Sequence, residues 1–168
     1  LGRLTPEAFV RDWWVAAFFP PAGSPAAQRN ASRDARFLAK GARSTGWQPW
    51  RSRKDGFVDL RTPQTPTLLS DNAVAYAQTY LYSPDDREVP AAIGSDDGFE
   101  LFVEDKRVLS DARQQRAQPW AHYTQLPLAT GWNRVVMKVR NGVGDFGFYF
   151  QIFDAEVQAS LEPTTPKD

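Results

Sequence analysis

Asp96 and Asp97 sit side by side in the run Ser95-Asp96-Asp97-Gly98. Asn141 and Asp145 share a second glycine-bearing run, Asn141-Gly142-Val143-Gly144-Asp145. These are the oxygen donors that a hard cation takes. Calcium binds about six to eight oxygens, drawn from carboxylates, carbonyls and water. Asp96, Asp97, Asn141 and Asp145 supply part of that set if the two runs meet at one end of the fold. The plainer alternative has each Asp capping its own turn, because a short carboxylate accepts nearby backbone N–H groups. Aromatic rings make the second constellation. Trp47, Trp50, Trp120 and Tyr149 fall in or beside expected loops, or on expected outer faces. An exposed flat ring packs against the C–H face of a sugar while polar neighbours hold its hydroxyls. The alternative for each ring is closure of one end of a hydrophobic core. Trp13 and Trp132 are expected inside that core.

Catalysis finds little support. His122 is the only histidine, and it lies in an expected strand beside Tyr123. A Ser-His-Asp triad would have to use it, and no nucleophile-elbow sequence is present. The acidic pairs Asp85-Asp86 and Asp96-Asp97 read as turn residues. Neither is placed as the desolvated acid that glycoside hydrolysis uses. Gly142 and Gly144 precede no helix and so form no phosphate cradle. Trp47, Trp50, Arg43, Arg51 and Arg53 interleave rings with positive charge, the pattern of single-strand nucleic-acid binders. The net charge argues against that use, since 20 basic residues meet 20 acidic ones and leave no excess to neutralise phosphates. The expectation is a protein that is not an enzyme and has no nucleic-acid partner.

The elements that must position these groups follow from period and punctuation. At 168 residues the chain fits one domain. It has no cysteine, so disulfides and thiolate metal sites are excluded. No run of about 20 apolar residues is present, so no helix here is expected to span a membrane. Thr5-Pro6-Glu7 reads as a helix start. Trp13 to Phe19 reads as a first strand, ended by Pro20-Pro21. Residues 21–46 are polar and weakly patterned, with one or two helical turns possible over Ser32 to Lys40. Trp47 to Arg51 and Phe57 to Leu60 are short extended pieces around the Asp55-Gly56 turn. Ala73 to Tyr82 alternates Val74, Tyr76, Gln78 and Tyr80 with Ala75, Ala77, Thr79 and Leu81. Both faces are apolar enough for a central strand. Val89 to Ile93, Phe99 to Val103, Val108-Leu109, His122 to Leu128, Trp132 to Arg140 and Phe146 to Ile152 complete the set. Such spacing, with turns between short strands, indicates an all-β, antiparallel β-sandwich.

The ordered set of motifs resembles a known class of module. Trp13 to Pro20, Trp47-Gln48-Pro49, Asp55 to Leu60, Ala75 to Tyr80, Gly94 to Gly98, Gly131 to Arg134 with Lys138, and Gly144 to Phe148 carry the likeness. It is similar to the galactose-binding-like jelly-roll modules appended to secreted bacterial carbohydrate-active and envelope proteins, and in part to PA14-type domains. One departure is Glu104-Asp105-Lys106 where the family has an Asn-Gly-Lys turn, which calls for a different turn type. In some PA14-type lectins an Asp pair binds calcium and the ion grips a sugar diol; Asp96-Asp97 matches that pair. The resemblance covers most of residues 12–154 and implies a jelly-roll sandwich, set here over residues 12–158. The Thr5-Pro6-Glu7 start gives a helical lead-in over 1–11, and the Pro- and Thr-bearing tail over 159–168 is expected to be mobile. The resemblance also implies an extracytoplasmic (periplasmic, cell-surface or secreted) binding module whose partner is a glycan. The alternative is a membrane-extrinsic structural subunit docked by protein–protein contacts onto a larger envelope assembly. The chain begins at Leu1, which suggests a processed protein or part of a longer one.

Overall fold

The computed structural model describes residues 8–19, 30–38, 46–61 and 70–164. In chain order the elements are β1 (Asp12–Phe18), α1 (Ala31–Leu38), β2 (Gln48–Arg51), β3 (Val58–Asp59), β4 (Val74–Ser83), β5 (Arg87–Asp96), β6 (Gly98–Val103), β7 (Lys106–Asp111), β8 (His122–Leu128), β9 (Gly131–Arg140), β10 (Gly147–Ile152) and β11 (Gln158–Ser160). They form two antiparallel sheets. The larger runs β2-β1-β4-β9-β6-β7, with β11 also pairing β4, and the smaller runs β3-β10-β5-β8. The all-β sandwich expected from the sequence is the fold found.

Period-2 alternation decides which side chains meet between the sheets. Ala75, Ala77 and Leu81 of β4, Val135, Met137 and Val139 of β9, and Phe99, Leu101 and Val103 of β6 face inward from the large sheet. Val89, Ala91 and Ile93 of β5, Leu126 and Leu128 of β8, and Phe148 and Phe150 of β10 face them. Trp13 is fully buried, with its ring edge-on to Phe148 and Phe150 at 5.0 and 5.4 Å. Truncating an aromatic in such a place typically costs about 3–5 kcal/mol.

Part of the outer face of the large sheet is also buried, because α1 lies across it. Asn30 caps the helix by accepting the Arg33 N–H at 2.8 Å, a standard use of a short amide side chain. Phe37 stacks on Tyr76 at 4.9 Å and meets Phe18 and Trp47. Beneath the helix are charges that must be paired to be tolerated there. The nearly buried Lys138 ammonium donates to Asp34 of α1 at 2.8 Å, and the Tyr76 hydroxyl donates to the same carboxylate. Burial, and then that Asp34 contact, hold the Tyr76 hydroxyl well above its usual titration range. Arg134 donates to Gln78 Oε1 at 2.6 Å and to the Phe37 and Leu38 carbonyls at 2.6 and 3.1 Å. It thereby satisfies helix-end carbonyls that have no partner inside the helix.

Several expectations are corrected. Of the expected N-terminal helix, residues 1–7 lie outside the described residues; Phe9 makes a strand-like bridge to Gln151 and Val10 donates to the Phe150 carbonyl. The expected helical turns from Ser32 are a regular helix, although residues 39 and 40 lie outside the described set. The Asp96-Asp97 step, read as a turn, is a crossing between sheets. It carries the chain from β5 in the small sheet to β6 in the large one, and the hairpin follows at Glu104-Asp105, where Glu104 takes a positive φ of 58°. The expected mobile tail is paired over its first part: β11 runs beside β4, and the Trp14 and Trp132 indoles donate to the Leu161 and Thr164 carbonyls at 3.1 and 2.6 Å. A ladder and two indole bonds give those residues partners that a free tail lacks.

Asp34→Ala leaves the Lys138 ammonium under α1 without its nearest counter-charge. The expected loss is about 2 kcal/mol, below the figure for a fully buried pair because Asp34 is partly exposed. A fall in urea midpoint at constant slope is the readout. Adding Lys138→Met to Asp34→Ala is expected to recover part of the loss.

Candidate functional site

One carboxylate holds one end of the sandwich together. Asp97 follows β5 directly, and its own N–H donates to the Arg140 carbonyl at 3.0 Å. Its peptide bond to Asp96 is cis. Asp97 Oδ1 accepts the Gln115 N–H at 2.9 Å, and Oδ2 accepts the Gly142 N–H at 2.6 Å. Loop 112–121 and loop 141–145 are therefore pinned to the same side chain. The second loop has further support from the turn before β4. Asn72 donates its N–H to the Gly142 carbonyl at 2.8 Å, Asp71 accepts the Gly144 N–H at 3.2 Å, and the Asn141 amide donates to the Ser70 carbonyl at 2.7 Å.

Loop 112–121 lies flat on the small sheet. A Cβ at Gly94 of β5 would come 1.7 Å from the Gln118 carbonyl oxygen, so only glycine admits the loop there. Asp96, two residues on, is buried beneath the same loop and accepts the Ala117 N–H. Burial, with Asp97 and Asp145 nearby, pushes its carboxyl up to about 6, against the opposing pull of Ala117 and Arg116. Gln114 reaches over Gly142, where a Cβ would meet its Nε2 at 2.6 Å. His122 packs edge-on to Phe99, and its Nε2 lies 3.4 Å from both Asp111 Oδ2 and Gln115 Oε1. Arg113, bonded to Asp111, holds that carboxylate down at about 2.

Arg61 completes this end. Its Nη1 donates to Asp145 Oδ1 at 3.0 Å, while Nε and Nη2 donate to the two oxygens of Asp59 at 3.0 and 2.9 Å. Asp59, and then Asp145 and Asp96, hold the guanidinium more firmly protonated than usual.

The four expected donors do converge: Asp96, Asp97, Asn141 and Asp145 all belong to this end. They do not form an open cation shell. Both Asp97 oxygens accept backbone N–H groups, Asp145 is tied to Arg61, and Asp96 accepts Ala117. Among the described residues no three His, Cys, Asp or Glu side chains are grouped as metal ligands. The donor set present does not fit calcium. Asp97 does cap backbone N–H groups. The groups it caps belong to loops distant in sequence, not to its own turn.

The four candidate rings divide. The Trp50 indole donates to the Asp59 carbonyl at 2.6 Å and its ring packs on the core. Trp47 stands edge-on to Phe37 at 5.0 Å. Tyr149 lies between Phe9 and Phe57, with centroids at 5.8 and 5.2 Å. Trp120 alone of the four is freely presented, at 51% exposure in loop 112–121. Sequence reasoning missed its neighbour in the chain, Tyr123, which is 69% exposed. The signal was available: Leu126 and Leu128 face inward, so alternation along β8 turns Tyr123 and Gln125 outward. It also missed Arg61 and the Gln114–Gln115 pair, which no local pattern marks. The arginines that follow and precede the Trp47 and Trp50 rings in sequence are dispersed. Arg29 and Arg43 lie outside the described residues, Arg33 sits over the Phe18 ring, Arg51 pairs with Asp12 and Arg53 with Asp55.

No family model matches the chain, and no curated protein matches it. In three dimensions it is similar to a β-glucosidase from Kluyveromyces marxianus in complex with glucose, with TM-score 0.51, 10% identity, and 85% of this chain covered against 16% of that one. It is also similar to the Epithelial Adhesin 9 A domain from Candida glabrata in complex with Galb1-4GlcNAc, with TM-score 0.49 and 11% identity over 95% of this chain and 94% of that one. The PA14 domain of the antifreeze protein MpAFP is a further neighbour, with TM-score 0.40 and 16% identity over 56% of this chain and 55% of that one. At such identities the likeness is one of fold.

The Asp96 environment sets a pH dependence. Its folded carboxyl titrates near 6, above the unfolded value of about 3.9. Between those values the folded chain holds the extra proton, so stability falls as pH rises from about 4 to 6 and then levels. Asp96→Asn keeps an acceptor for Ala117 and removes the buried charge. It is expected to raise the melting temperature by a few degrees above pH 6, with the gain vanishing toward pH 4. Gly94→Ala is expected to lift loop 112–121 from the sheet, read as faster amide exchange at Gln115 and Ala117.

Proposed function

We propose that this chain is a non-catalytic carbohydrate-binding module, and that its sugar seat is the surface around Trp120 and Tyr123. The observation that carries the reading is the presentation of these two rings. Both are exposed, yet both stand on backbone that is held from below. Tyr123 belongs to β8, which pairs with β5 along its length. Trp120 belongs to a loop fixed by Asp97, by the close approach at Gly94 and by the Ala121 N–H to Gln118 carbonyl bond at 3.2 Å. Rigid rings with little entropy to lose are effective contact residues. Exposed Gln114, Arg113, Arg116 and Gln125 lie in the same loop and strand and offer donors and acceptors for hydroxyls.

Chemistry beyond binding has weak support here. His122 packs on Phe99 rather than facing a serine, and Asp96 is covered by the loop that would have to admit substrate. The module spans the sandwich from residue 12 through at least the β11 pairing. Placement outside the cytoplasm, within a secreted or surface protein, follows from the resemblance of its motifs.

The test is a glycan array followed by calorimetry on the best ligand. Trp120→Ala is expected to weaken binding about tenfold or more, the scale of a central aromatic contact, and Tyr123→Ala somewhat less. Both substitutions should leave the melting temperature within about 1 °C of the parent, since exposed side chains contribute little to stability. A blank array with a correctly folded protein would sink the lectin reading.

A further inference from the structure

We infer that Arg61 serves as the built-in counter-cation of the acidic end, so that this site works without a divalent metal ion. The inference concerns the same end of the sandwich as the proposed sugar seat and adds how that end is held. Asp97 and Asp145 stand near Asp96 where the two loops meet, without closing into a set of metal ligands, and Asp59 shares Arg61 with Asp145. Such a gathering repels itself unless positive charge is supplied. A bound divalent ion is one solution. The structure shows another.

The Arg61 guanidinium uses its planar fork on Asp59 through two atoms, at 3.0 and 2.9 Å, and turns Nη1 to Asp145 at 3.0 Å. That geometry ties β3 to loop 141–145, two parts of the chain 84 positions apart. A planar fork is what arginine offers and lysine does not. The Arg61 N–H adds a further bond to Asp59 Oδ1 at 3.1 Å, which fixes the start of the side chain. Asp97 is held differently, by hydrogen bonds from the Gln115 and Gly142 amides. Backbone N–H groups aimed at a carboxylate stabilise its charge without any ion. Arg116 adds positive charge on the Asp96 side. Each acid thus has a protein-borne partner, and a metal would have to displace these bonds before it could coordinate.

Arg61 is a positioning residue in this account. It sets the charge at this end and ties loop 141–145 to Asp59.

Thermal melting of the unaltered chain with millimolar calcium, and with chelator, decides the main point. A site that bound the ion would gain several degrees by mass action. The expected shift is below about 1 °C either way; a rise of several degrees with calcium, reversed by chelator, overturns the inference. Arg61→Gln separates a counter-ion from mere packing. Carbon-13 titration of the carboxylates should show Asp96 moving upward in Arg61→Gln and returning most of the way in Arg61→Lys. An unmoved Asp96 titration overturns the counter-ion role. If a glycan ligand is found, chelator should leave its affinity unchanged, and loss of affinity on chelation overturns the inference while leaving the sugar-binding reading intact. If no glycan binds, that reading fails and the calcium melt still decides this one.

Discussion

Two backbone amides from distant loops end on a single carboxylate, and the site depends on that arrangement. Asp97 accepts Gln115 with one oxygen and Gly142 with the other. Neither loop is a strand, although loop 141–145 also bonds to the turn before β4. Each borrows definition from a residue at the point where the chain leaves one sheet for the other. That position is well chosen in physical terms. The backbone on both sides of Asp97 is held by strand pairing, β5 in the small sheet and β6 in the large one. A charged acceptor gives bonds roughly twice as strong as a neutral one. A short side chain on a fixed backbone also loses little freedom in making them.

The same logic recurs on the far side of the large sheet. A β-sandwich of this kind commonly leaves one face of each sheet in water. Here α1 covers part of the outer face and buries Lys138 and Arg134 beneath it. Their partners come from the helix itself: the Asp34 carboxylate at one end and the Phe37 and Leu38 carbonyls at the other. The helix is therefore held in register as well as in contact, because directional bonds at both ends oppose sliding in a way that the Phe37–Tyr76 stack does not.

Much of the fold was legible because strand faces obey a period of two. Ala75, Ala77 and Leu81 against Tyr76 and Gln78 place β4 at the centre of a sheet, and both its faces are covered as expected. The candidate site was legible in part. Asp96, Asp97, Asn141 and Asp145 lie at one end, where turn residues at strand ends gather. What occupies their oxygens was hidden, because Gln115 and Arg61 reach them from loops whose course no local pattern dictates. The aromatics show the same limit. Trp50 looks like a loop ring by sequence, yet its indole is spent on the Asp59 carbonyl. Tyr123 could have been found from alternation, whereas Trp120 is distinguished from Trp47 only by tertiary packing.

The close seating of Gln118 on Gly94 divides the 112–121 loop into two layers with different freedoms. Its underside is committed: Gln115, Ala117 and the Gln118 carbonyl meet the sheet or Asp97, and a change there disturbs the framework. Its upper side, with Arg113, Gln114, Arg116 and Trp120 exposed, meets mainly solvent. Substitutions on that layer can alter what the surface recognises at little cost in folding free energy. The loop is in that sense a replaceable face on a fixed mount. The glycine beneath those outward positions admits no side chain while the loop keeps its seat.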